Sequence, residues 1–82
     1  MKLKEVYLIV WSDPWQSYDS MIIQGIATTY ANADQLYIKA IKENNDINDK
    51  NHDIICIYKV NLNQYYDNII REGEKIKSSD GN

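Results

Sequence analysis

The chain reads as one small α+β domain with element order β-β-α-β-α, and three features of the sequence point that way. Residues 3–11 and 53–60 are nearly unbroken runs of β-branched, aromatic and aliphatic side chains, as in strands, and the first is apolar on both faces. Residues 32–43 and 61–72 instead repeat their apolar side chains at helical spacing. The 82 residues, 44% hydrophobic and 26% charged, suffice for one ordinary core and leave no room for a second domain.

Each element has a local cause. The first strand takes Val6, Tyr7, Leu8, Ile9, Val10 and Trp11 without a polar break. Pro14 fixes φ and lacks a donor, and Ser12, Asp13, Ser17, Asp19 and Ser20 around it favour side-chain turns. β character returns over residues 21–29, where Gly25 marks a bulge or a close backbone approach. The result is a hairpin with a long tip. Asn32 and Gln35 then form a capping-box pattern, followed by Ala33, Leu36, Tyr37, Ala40 and Ile41 on one helical face. Ile54, Ile55, Cys56, Ile57 and Tyr58 centre the third strand. Asn61 and Gln64 repeat the capping pattern, Leu62, Tyr65, Tyr66, Ile69 and Ile70 make a second stripe, and Gly73 suits the C′ position. The domain is expected to fill residues 1–73, with residues 74–82 as a flexible polar tail.

A crossover from the second strand through the first helix to the third sets those two strands parallel. The doubly apolar first strand belongs between them. The expected sheet is therefore three-stranded and mixed, of order 2-1-3, with two helices. One sheet face has an obvious crossover helix; the other needs the second helix or another chain. A chain of this size buries only roughly 60% of its unfolded surface. A homodimer through Tyr65, Tyr66, Ile69 and Ile70 is one expected remedy.

Charge and composition narrow the function. A net charge of −3, from 9 basic and 12 acidic side chains, argues against a face for nucleic-acid phosphates. The longest apolar runs, residues 6–11 and 54–58, fall far short of the ~20 residues of a membrane helix, so no membrane association is expected. The sole cysteine, Cys56, excludes an internal disulfide, and no cleavage site follows the N-terminal apolar stretch; a cytoplasmic protein is expected. His52 is the sole histidine and lies in a polar loop. Cys56 is four residues away on an extended strand, roughly 13 Å, too far for a nucleophile pair. Asp49, Asn51 and Asp53 imitate a calcium loop, but Ile54 and Val60 stand where Gly and a bidentate Glu are needed. The expectation is no enzyme, no metal and no cofactor.

The most distinctive segment gathers Trp11, Asp13, Trp15, Tyr18 and Asp19 on the hairpin tip. Trp and Tyr are the residue types of binding hot spots, and carboxylates beside them favour a basic protein surface. The structural alternative is that Trp11 ends the core strand and Trp15 folds over the sheet. For Trp11 that alternative is preferred; for Trp15 and Tyr18 both readings stand.

The run Lys4-Glu5-Val6-Tyr7-Leu8-Ile9-Val10-Trp11, a polar loop, Ile22-Ile23-Gln24-Gly25-Ile26-Ala27 and a capped helix resemble small β-β-α-β proteins of low-GC bacteria and their phages. The likeness spans about residues 4–60, departs from that pattern over residues 27–34, and brings no catalytic residue with it. Abundant Asn, Ile and Tyr with no Phe suit an AT-rich source. In size and acidity the chain is also similar to phage anti-defence inhibitors, anti-CRISPR proteins among them. That likeness implies a non-enzymatic protein-binding module that inhibits or modulates a host defence protein with a basic surface. The alternative is a small-molecule binder that sequesters a nucleotide-derived signal at an oligomer interface, where Tyr and Trp could stack a base. The sole arginine, Arg71, speaks against it.

Overall fold

An unbroken antiparallel pairing at the centre of the sheet organises the fold. The computed structural model describes residues 4–13, 15, 20–43 and 53–79. In it β1 (Glu5–Ser12) runs against β3 (Ile54–Asn61), from Glu5↔Asn61 to Ser12↔Ile54. The Leu62 N–H donates to the Lys4 carbonyl at 2.8 Å and carries the ladder one step further. Because side chains alternate along a strand, each of these two strands serves two cores. Leu8, Val10, Ile54, Cys56, Tyr58 and Val60 form one, and Ile9, Ile55 and Ile57 belong to the other. Each fully buried side chain of this size contributes about 1.5–3 kcal/mol, which makes this pair the main source of stability.

Shorter strands flank the pair. β2 (Ile22–Ala27) lies antiparallel to β1, and Gln24 is the extra residue where the register shifts between Ile9 and Val10. The bulge anticipated at Gly25 is therefore present beside it. β4 (Glu74–Ser78) lies antiparallel to β3, and the sheet order is β2-β1-β3-β4. The order 2-1-3 holds, but the expected three-stranded mixed sheet is corrected: the described residues form a four-stranded sheet, and every neighbouring pair in it is antiparallel. Residues 74–78 are likewise an edge strand and not part of a loose tail. Just beyond them the Ile55 N–H donates to Ser79 Oγ at 2.9 Å, and the Ser79 N–H donates to the Ile55 carbonyl at 2.9 Å. The cause lies in β3, whose run Ile54–Tyr58 is buried on both faces and so needs a backbone partner along each edge.

α1 (Tyr30–Glu43) covers the face carrying Ile9, Ile55 and Ile57, and buries its own Ala33 and Tyr37 there. Its cap is Thr29, not Asn32. The Asn32 N–H donates to Thr29 Oγ1 at 3.2 Å, and the Ala33 N–H donates to the Thr29 carbonyl at 3.0 Å. A threonine at N-cap bonding the third helical N–H is a favoured arrangement, and it leaves Asn32 inside the first turn.

The second helix is shorter than its apolar stripe suggests. α2 (Ile69–Glu72) is a single turn capped by Asn68, whose Oδ1 accepts from the Arg71 N–H at 2.9 Å while Glu72 Oε2 accepts from the Asn68 N–H at 2.9 Å. Asn61 Nδ2 does donate to Gln64 Oε1, at 3.5 Å, but Asn63 between them sits at φ 60°. That left-handed backbone, which Asn tolerates, stops a helix from starting at Asn61. Ile70 is buried against the face opposite α1, with Tyr66 and Ile69 packed beside it. No helix among the described residues is long and apolar enough to cross a membrane.

Candidate functional site

The β1–β2 hairpin carries the surface of greatest interest. At its root Trp11 is half-buried against the α1-side core, and Ser12 is fully buried with its Oγ donating to the Asp13 carbonyl at 3.2 Å. Asp13 is half-buried and engaged in a polar interaction. Four residues beyond Trp11, Trp15 is 78% exposed. Tyr18 and Asp19 lie outside the described residues. The two tryptophans thus have opposite fates: Trp11 anchors the arm, and Trp15 is presented to solvent.

The residues expected to form a dimer face on the second helix are divided between core and surface. Ile70 is buried, Ile69 is half-buried, and Tyr66 is half-buried with its hydroxyl oxygen accepting from the Asn61 N–H at 2.9 Å. These side chains cover their own sheet. Of the four, Tyr65 alone is open, at 84% exposure.

A surface missed by the sequence reading lies along β2. Ile22, Ile23 and Ile26 are 56%, 40% and 63% exposed. Ile23 and Ile26 stand opposite Val10 and Leu8, on the face away from α1, whereas Ile22 stands opposite Trp11 on the α1 face. Between β2 and α1 runs a groove of about 420 Å³, with Ile9, Gly25, Leu36 and Ala40 along it and Gln24, Lys39 and Glu43 as its polar members. A side chain at Gly25 would meet Leu36 Cδ1 at 3.4 Å, so the glycine helps keep this groove open. The signal was present in the chain: no charged residue occurs between Asp19 and Asp34. Periodicity alone could not convert it into a site, because it reports which side chains share a face and not whether anything covers them.

Charge is arranged differently on the opposite edge. Lys77 Nζ donates to Asp34 Oδ1 at 2.8 Å and sits 4.7 Å from the Tyr37 ring centre, tying β4 to α1. That hydrogen bond to Asp34 holds the Lys77 pKa above its ordinary value. Lys59 lies 3.9 Å from a Glu5 oxygen and 3.6 Å from a Glu74 oxygen. Cys56 is fully buried, and its thiol lies 3.5 Å from Ser78 Oγ; His52 is outside the described residues. No group of three or more potential metal ligands occurs among the described residues. Asp53 is half-buried at the entrance to β3, while Asp49 and Asn51 fall outside.

No protein family, curated protein or solved structure matches this chain.

Proposed function

We propose that this chain is a non-enzymatic protein-binding module, a phage- or prophage-encoded inhibitor or modulator of a host defence protein, working in the host cytoplasm. Its contact is the tip of the β1–β2 hairpin, with Trp15, Tyr18, Asp13 and Asp19 against a basic partner surface and Trp11 as the anchor behind them. The observation that carries this reading is the exposure of Trp15 directly beyond a buried root. A large aromatic presented to solvent has few rotatable bonds to immobilise on binding and supplies much contact area. Carboxylates beside it would speed encounter with a cationic surface. The test is capture of host proteins from lysate by the wild-type chain and by a Trp15→Ala, Tyr18→Ala, Asp19→Ala variant. A hot spot of about 2 kcal/mol or more gives a loss of about thirtyfold or more in affinity. Unchanged capture by a variant with a normal circular-dichroism spectrum would discard the tip as the site.

A second reading is favoured by the β2–α1 groove, whose volume of about 420 Å³ suits a small ligand. In that reading the protein sequesters a nucleotide-derived signal. Lys39 is the groove's cation, but Glu43 accompanies it, which disfavours phosphate. A thermal-shift screen of cyclic nucleotides separates the readings, since ligand at 100 times its dissociation constant adds ~2.7 kcal/mol of stability.

A further inference from the structure

We propose that the outer edge of β2 pairs with β2 of a second copy of this chain, joining two four-stranded sheets into one across a two-fold axis. The inference does not rest on the role given to the Trp15 tip.

The two edges of the sheet are built differently. β4 carries Glu74, Lys75 and Lys77, the kind of charged side chains by which edge strands resist adding another strand. β2 carries no charge at all, and exposed Ile22, Ile23 and Ile26 flank its edge from both faces. An uncharged isoleucine-rich strand needs an uncharged apolar strand opposite it, and β2 itself has that chemistry. The net charge of −3 makes two copies repel weakly over their surfaces. The stretch between Asp19 and Asp34 adds nothing to that repulsion and offers a basic partner no anion.

The patch is also self-complementary. A two-fold contact brings a patch against itself, so β2 meets β2 running antiparallel. An axis between Gln24 and Gly25 sets Ile23 of one copy against Ile26 of the other, both on the face away from α1. On the α1 face, Lys39 and Glu43 give the groove one charge of each sign. The same axis reverses their order, so that each lysine can meet the other copy's glutamate. The exposed parts of Ile22, Ile23, Ile26 and Leu36 amount to a few hundred Å² per copy, the size of patch that marks an interaction site. Two such patches supply a large part of the ~1,200 Å² at the lower limit of a stable interface, and the paired strand backbone and the groove rim add to them.

The experiment is sedimentation equilibrium on the tag-free full chain from micromolar to near-millimolar concentration. The expected species has twice the chain mass, and Ile26→Lys weakens self-association by about tenfold or more. Because Ile26 is mostly exposed, that variant should match the wild-type melting curve at concentrations low enough for both to be monomeric. Lys39→Glu and Glu43→Lys provide an independent arm. Each alone associates more weakly than wild type, and an equimolar mixture of the two regains association, since an acidic rim then meets a basic one. A defect confined to one helix could not be repaired by mixing. A wild-type monomer at every concentration, a dimer unaffected by Ile26→Lys, or a mixture no better than its components overturns the proposal.

Discussion

Gly73 sits in ordinary extended backbone, at φ −75°, so its lack of a side chain is a matter of space. A Cβ there would stand 2.8 Å from Val60 Cγ1 and 3.0 Å from the Ile69 carbonyl oxygen. Gly73→Ala should destabilise the protein by about 1–3 kcal/mol, read as a lower urea midpoint at unchanged slope. Gly25→Ala is the contrast: its contacts are of ordinary length, and a change of less than about 1 kcal/mol is expected. Equal midpoints for the two variants would remove the steric account. The sequence singled out both glycines, but for Gly73 it suggested a left-handed helix stop, and the structure shows a close approach instead. The tryptophans divide similarly. A strand-ending Trp11 was legible from the apolar run behind it, whereas the fate of Trp15 depends on how the arm leaves the sheet, which residue type does not encode.

Elements were legible in proportion to how much of their own apolar surface they bury. β1, β3 and α1 carry long patterns, and each formed close to where its pattern lies. β4 was not legible, because an edge strand is held by backbone bonds and its EKIKS sequence has one apolar residue, Ile76. The prompt for it lay in β3, apolar on both faces and hence in need of a neighbour on each side. α2 was overread because its stripe of Leu62, Tyr65, Tyr66, Ile69 and Ile70 fits helical spacing, while Asn63 and the Asn68 cap decide where a helix can exist. The tie between α1 and β4 makes a prediction at this scale. A lysine more basic in the folded than in the unfolded chain contributes stability that is complete below the ordinary lysine pKa, about 10.4, and is lost as pH rises through its raised value. Above about pH 10 the wild-type melting temperature should therefore fall more steeply than that of Lys77→Met. Parallel curves would show that the Asp34–Lys77 bond adds nothing to folding; both side chains are partly exposed, so the difference is a small one.

The whole molecule depends on the segment that composition makes look dispensable. Deleting residues 74–82 removes β4, strips Ile55 of both bonds to Ser79 and frees Asp34 from Lys77. A domain this small has about 5–10 kcal/mol of net stability at most, and an unpaired edge on a strand buried on both faces takes most of it. The truncated chain should lose its cooperative thermal transition by circular dichroism. A melt within a few degrees of wild type would show that β4 is incidental. Which residues share a core was open to inference from alternation and spacing; that β3 needs a second neighbour was signalled by its apolar run, but which segment supplies it was not, because alternation is blind to the hydrogen-bonding direction.

The pairing of β1 with β3 also bears on how the molecule comes into being. β1 leaves the ribosome ahead of both its neighbours, yet its longer partner, β3, follows only after β2 and α1. The β1–β2 hairpin closes locally, but the centre of the sheet must await synthesis of β3 and the closure of a long loop. Such high contact order puts folding in the millisecond-to-second range and not the microsecond range of small helical proteins. Until then Val6–Trp11 is an apolar ribbon with one edge unmatched. The nascent chain is thus aggregation-prone for as long as β3 has yet to emerge, and its yield should depend on chaperones more than its size suggests.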